Sequence, residues 1–378
     1  MKKLIYILLV LFIVSCANKK DVKSILNVNY EQYVLSIENP KIKVNLGKID
    51  KNILLLLHYR IDEQEIKKQL KLNDSLWNDK INYLFGNGFI KKKDEKFIPS
   101  IFILDEDTGK DLKKFTDSLG NELSIITVDR LDKIKEATNK IFQSKNYQFD
   151  DISFFVLGAV VNDYFQIKNY QNEFIKSFVP QRGEQRFYYS LISNEINNNE
   201  QSKIYETTFY EYPKYDFITF SLNKFDYNIP TFPTSELINS FGKNPQVGDS
   251  IFQSHLIEEI YKLSTTPDYK PNKNILEGFE KLGITNKYKL KIPLIDSKKL
   301  KDLNNICEAT KTDLINYFET RQTLFLKKYL NSNFVDEVNY KEWMIWIYKM
   351  ISAKAIQTLI DKNIIKKGIV SPALIVIK

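Results

Sequence analysis

The pattern between Asn52 and Leu104 limits what this chain can fold into more than any other stretch. Asn52 to Tyr59 is an apolar run at helical spacing. Asp62 stands in capping position ahead of a short helix, Glu63 to Leu70, and Asp74 ahead of a longer one, Ser75 to Phe85. In the longer helix Leu76, Trp77, Ile81, Leu84 and Phe85 fall on one side. Gly86-Asn87-Gly88 should end it, because glycine accepts the left-handed backbone of a helix terminus. Two strands are expected next, Phe89 to Lys91 and Phe97 to Leu104, joined by the charged turn Lys92 to Lys96.

Trp77-Asn78-Asp79-Lys80-Ile81-Asn82-Tyr83-Leu84, leading to Gly88-Phe89-Ile90-Lys91-Lys92, resembles the third helix and first wing strand of the winged helix-turn-helix superfamily. The resemblance covers residues 50–104 and concerns pattern more than an invariant motif. It implies a winged-helix fold, and for many such folds a third helix that enters the major groove of DNA. This third helix sets Asp74 and Asp79 against Lys80 alone and has no arginine, so it repels phosphate. From Asp50 to Leu104 there are ten basic and eight acidic residues, with the excess in the wing. The expectation is a packing or protein-recognition module with no nucleic-acid partner. A membrane-tethered winged-helix regulator that binds nucleic acid is the alternative.

The first residues supply an address. Lys2 and Lys3 precede an apolar run from Leu4 to Val14 that is too short to span a bilayer. Ile13-Val14-Ser15-Cys16 resembles the lipobox of bacterial lipoproteins. That resemblance implies a signal peptide over 1–15 and lipidation of Cys16, so that the membrane is contacted through the N-terminal lipid. Ala17, in place of Asp, favours the outer membrane. Residues 16–45 are polar and then weakly patterned, and read as a tether.

The fold class expected is α+β, with two further parts after the tether. Residues 46–145 hold the winged-helix-like domain and following helices. Residues 146–378 form a larger mixed α/β part with an aromatic-rich antiparallel sheet and C-terminal helices. Ile152 to Phe165 is apolar enough for a buried helix, and polar residues bound it too closely for a membrane span. Arg186 to Ser193, Ile204 to Tyr212 and Asp216 to Leu222 have strand composition, and the asparagine-rich Asn194 to Gln201 suits a hairpin turn between the first two. Tyr227 to Pro245 and Thr265 to Asn274 read as loops, and helix resumes from Ser297 through Asp361. Asp361 to Lys367 followed by Pro372 to Val376 parallels Gly86 to Lys92 and Pro99 to Leu104, which suggests a second winged-helix-like unit at the C-terminus. Ala373 to Ile377 is apolar throughout and should be a buried strand.

Chemistry is sparse. The chain has two histidines and two cysteines, which removes most catalytic constellations. His58 sits beside Leu54 to Leu57 and reads as a core or boundary residue. His255 has Glu258 and Glu259 at helical spacing but lacks a third His or Cys ligand, so no metal is expected. Cys307 lies on an apolar helical face and reads as a buried thiol. Of 55 basic residues only Arg60, Arg130, Arg182, Arg186 and Arg321 are arginine. Scattered lysine favours solubility over bidentate phosphate recognition. Arg182 and Arg186 flank Gly183 and form the candidate anion-binding corner, with an ordinary charged loop as the competing reading. Asp105-Glu106-Asp107-Thr108-Gly109 lacks the ligand spacing of a calcium loop and reads as a helix cap. The Trp343 to Trp346 stretch reads as core, and the aromatic strands chiefly as sheet packing beside a glycan-contact alternative. No catalytic residue and no cofactor is expected. The functional expectation is a lipid-anchored cell-envelope protein with a structural or protein-binding role, ahead of a hydrolase of envelope polymers.

Overall fold

The computed structural model describes residues 21–39, 42, 44, 46–142, 147–176, 179–193, 204–221, 234–242, 250–366 and 373–378. Cys16, the lipobox and the turn expected over Asn194 to Gln201 lie outside them, as does nearly all of that turn's approach to the next strand. The fold is α+β, mostly helical, with several small sheets.

Helix α1 (Val22–Asn27) and strand β1 (Tyr30–Leu35) come first. Residues 16–45 are therefore not a tether over this part. Tyr30, Tyr33 and Leu35 are buried, and β1 is hydrogen-bonded along a sheet. Its alternation is broken by the half-buried Glu31 and Gln32, which hides the strand from pattern reading.

Three helices follow: α2 (Lys48–His58), α3 (Glu63–Leu70) and α4 (Asp74–Gly86). Asp62 caps α3 by accepting from the Gln64 N–H. Asn73, one residue before the expected Asp74, caps α4 by accepting from Leu76. Gly88 takes the left-handed backbone (φ 69°) that turns the chain into the ribbon. Strands β2 (Ile90–Lys93) and β3 (Lys96–Pro99) pair around Asp94 and Glu95, both at positive φ, a type I′ geometry that suits a two-residue hairpin. The strand expected to run through Leu104 breaks after Pro99. Its second piece, β4 (Phe102–Leu104), leaves the ribbon and joins β7 in another sheet. The order helix, helix, helix, ribbon is as expected.

Helices α5 (Glu106–Asp129), α6 (Leu131–Phe142) and α7 (Phe149–Phe154) lead into a π-helical stretch, Phe155–Asn162, whose eight residues are all buried. Helix α8 (Tyr164–Tyr170), a second π turn (Gln171–Ile175) and the small ribbon β5 (Gln181–Arg182) and β6 (Gln185–Arg186) bring the chain to β7 (Tyr188–Ser193). β7 is the middle strand of the sheet β1-β7-β4, antiparallel to β1 and parallel to β4.

Strands β8 (Glu206–Glu211) and β9 (Tyr215–Ser221) form a hairpin with each other. The hairpin expected between the first two aromatic strands is thus not made, because β7 is taken by β1 and β4. Then come α9 (Thr234–Phe241), within a stretch expected as loop, α10 (Ser250–Thr265), α11 (Lys273–Lys281), the short ribbon β10 (Thr285–Asn286) and β11 (Lys289–Leu290), and β12 (Leu294–Asp296). A 3-10 turn (Ser297–Asp302), α12 (Leu303–Glu319), α13 (Gln322–Leu330), α14 (Phe334–Glu337), α15 (Tyr340–Asp361) and β13 (Ala373–Ile377) complete the chain.

The second half repeats the connectivity of the first. β9 is antiparallel to β13, and β13 is parallel to β12, the same relation that β1 has to β7 and β7 to β4. In each half the first strand leads through three helices and a ribbon to an outer strand, and a long helical excursion returns to the strand between them. Local signals match too. Asn272 caps α11 as Asn73 caps α4, and Gly283 (φ 72°) stands where Gly88 does. The Ile284 N–H donates to Phe279 as Phe89 does to Leu84, and Lys291 donates to Ile284 as Ser100 does to Phe89. Among the described residues, the elements that correspond to α2, α3, α4 and the β2–β3 ribbon are α9, α10, α11 and the β10–β11 ribbon. β13 corresponds to β7, and residues 364–366 are not strand.

The halves exchange helices. α5 lies along α15, and α12 packs on α8 and the π stretch. A Cβ on Gly120 would stand 2.7 Å from the Ile351 carbonyl oxygen, so glycine allows that close crossing. α15 is buried nearly all round, Trp343 and Trp346 included, as expected of core. β13 is buried as expected, with Leu374 and Val376 in one cluster with Ile364 and Ile365. Among the described residues no helix is long and apolar enough to cross a membrane.

Candidate functional site

A groove of about 860 Å³ lies in the N-terminal helix–ribbon unit. Its floor is Leu57 at the end of α2, Trp77 of α4, and Ile98 of β3, all buried. α1 closes one end with Asp21 and Val22, and the α2–α3 turn brings Arg60, Ile61 and Asp62 to the rim. The local sequence explains the shape. Arg60 adopts positive φ (58°) to reverse the chain after α2, and the type I′ turn carries Glu95 and Lys96 to the opposite lip. Around the groove stand five carboxylates, from Asp21, Asp62, Glu63, Glu65 and Glu95, against the two cations Arg60 and Lys96.

Behind this rim is a buried charge cluster. His58 Nδ1 lies 2.8 Å from a Glu337 carboxylate oxygen, and Nε2 lies 3.8 Å from Asp105. Burial by itself would lower the imidazole's pKa, but Glu337 and Asp105 outweigh it and raise it to about 9. Burial likewise opposes ionisation of Asp105, yet His58 and the Thr108 N–H, donating across 2.8 Å, hold its carboxyl well below the usual range. Asp105 is the N-cap of α5, as the sequence suggested. Arg60 reaches back from the groove to within 3.2 Å of Glu337, and Lys93 of the ribbon pairs with Asp336. With both ring nitrogens facing carboxylates, His58 fastens α2 to α14.

The candidate anion-binding arginines do not converge. In the β5–β6 ribbon Arg182 is opposite Gln185 and Arg186 opposite Gln181. Arg182 is fully buried: it donates to Glu342 at 2.7 Å, to the Gly88 carbonyl at 2.6 Å and to the Ser100 carbonyl at 3.2 Å. Its guanidinium also lies 5.6 Å from the centre of the Phe89 ring. Arg186 is exposed, with Nε 3.4 Å from the Gln181 side-chain oxygen. Arg182 therefore has its anion already, a glutamate 160 residues away that local reading does not find. A second buried pair also escaped sequence reading. Lys349 donates to both Asp163 oxygens at 2.6 Å and to the Tyr205 carbonyl at 2.6 Å. It borders a cavity of about 30 Å³ between β1 and β8, the share of liquid volume that a single water takes.

The remaining candidates are structural in their contacts. Cys307 is buried, its thiol donates to the Val160 carbonyl at 3.2 Å, and burial pushes its pKa well up. Glu259 accepts from Lys262 at 2.9 Å and from Tyr269 at 2.5 Å. Among the described residues no group of three His, Cys, Asp or Glu side chains is placed to hold a metal. On the third helix, Lys80 turns inward to Asp50 at 2.9 Å, and Asp74 binds Lys67 at 2.9 Å.

No protein-family model matches the chain, and neither a curated protein nor a solved structure matches it.

Proposed function

We propose that this chain is a non-enzymatic cell-envelope protein, held at the outer membrane by lipid on Cys16, whose N-terminal unit binds another protein. The groove over Trp77 and Ile98 is the observation that supports this reading. It is concave, apolar at its floor and polar at its lip, which is how binding sites are generally built. DNA recognition is opposed by the unit's charge: Lys80, the third helix's one cation, pairs with Asp50, and Lys93 of the ribbon pairs with Asp336.

A photocrosslinking residue in place of Phe97, in the full-length chain in intact envelopes, tests the reading. The expected result is a protein adduct mapped to a defined segment of the partner, and lost on competition with untagged chain. Absence of any groove adduct overturns the proposal. Cys16→Ser in the same cells should abolish fatty-acid labelling, and labelling equal to wild type would overturn the anchor.

A further inference from the structure

We propose that the groove of the N-terminal unit takes an extended, cationic polypeptide segment, with lysine or arginine side chains on its acidic rim and an apolar side chain against Ile61 and Phe97. The inference rests on the protein-binding reading and specifies what the partner presents.

Charge decides the partner's class. The chain as a whole carries a formal net charge of +8, yet carboxylates outnumber cations around this groove by five to two. One of those two cations is engaged elsewhere, since Arg60 stands 3.2 Å from Glu337 and 3.9 Å from Asp336. Asp21 and Glu95 have no ion-pair partner among the described residues. Glu63 is tied only to Lys67, at 3.2 Å, with about half of its side chain exposed. A negative rim over a low-dielectric floor concentrates field toward a positive ligand and repels anionic lipid, phosphate and acidic glycan.

Shape decides the partner's form. Trp77 is buried beneath the base, and the half-buried Ile61 and Phe97 offer the apolar surface on which a single side chain can be anchored. β3 lines the groove, and among the described residues it pairs with β2 alone. A strand with one partner leaves backbone N–H and C=O groups along its other edge, and an extended segment can pair with them. A compact cation could meet the carboxylates, but it would use neither the apolar floor nor the strand edge.

The test uses the whole mature chain in detergent and an acetylated, amidated heptapeptide that alternates lysine with leucine and phenylalanine. Its counterpart has glutamate for every lysine. Binding is read as the heat signal in a titration calorimeter. The lysine peptide should saturate this signal and weaken steeply as salt is raised, while the glutamate peptide gives none. Glu95→Lys, at an exposed turn position, should leave thermal unfolding unchanged, and combined with Glu63→Lys it should weaken lysine-peptide binding by roughly tenfold or more. Equal binding of the two peptides, wild-type binding by the charge-reversed variant, or full competition by spermidine would each overturn the inference. Crosslinking from position 97 separates its failure from that of the parent reading. An adduct on a segment without lysine or arginine overturns the cationic class and leaves protein binding standing, whereas no adduct overturns both.

Discussion

His58 holds a positive charge inside the protein, and that gives stability a pH dependence. Its folded pKa, about 9, lies above the ordinary value of 6.5. A raised pKa means that the folded state binds the proton more tightly, so the contribution is complete below about 6.5 and is lost as pH rises through about 9. A tenfold gain in proton affinity is worth about 1.4 kcal/mol, so this contact contributes on the order of 3 kcal/mol below about pH 6.5. Denaturant unfolding at a series of pH values should show wild type losing stability between pH 6.5 and 9, and His58→Gln lacking that component of the slope. Parallel curves would show that folding does not raise the imidazole's pKa. At this scale the sequence was half legible. His58 among leucines announced burial, whereas Glu337, 279 residues further on, left no local sign. Arg182 shows the same limit: its glycine and glutamate neighbours suggested a surface corner, and only the distant Glu342 explains why the guanidinium is inside.

Caps, turns and periodicity act within a few residues, and elements built by them were read well. Asp62, Gly88 and the Asp94-Glu95 turn each act where chemistry predicts. Pairing between strands is a different matter, because any apolar strand can pair with any other until the whole chain chooses. β7 and β8 looked like neighbours in a hairpin and belong to separate sheets. β13 was recognised as a buried strand from its five apolar residues, but not as the strand between β9 and β12. Deleting residues 373–378 therefore removes an interior strand. Burial of each such side chain contributes about 1.5–3 kcal/mol, and several together approach a typical total stability of roughly 5–15 kcal/mol. The truncated chain should aggregate, or unfold at a far lower temperature in a calorimeter. A transition unchanged from wild type would mean that β9 and β12 hold without it.

Across the whole molecule, two units of like connectivity interlock by exchanging helices. Leu112, Leu119 and Leu123 of α5 share one core with Trp343, Ile347 and Ile351 of α15, and Val160 of the first half meets Cys307 of the second. Neither half can bury these faces alone. Expressed separately, residues 21–200 and 201–378 should each be insoluble or lack a cooperative transition, and co-expression should recover one soluble complex with a single transition. A cooperatively folding half on its own would show that the exchange is dispensable. By itself the sequence determined the helices of the N-terminal unit, the Asp62 and Asp105 caps, the ribbon turn, the buried thiol and the acidic bias of the third helix, because each depends on residues within a turn or two of one another. Strand order, the mates of His58, Arg182 and Lys349, and the groove beneath the α2–α3 turn were decided only in three dimensions. They join residues tens to hundreds of positions apart, and such contacts arise from the joint packing of elements rather than from any local preference.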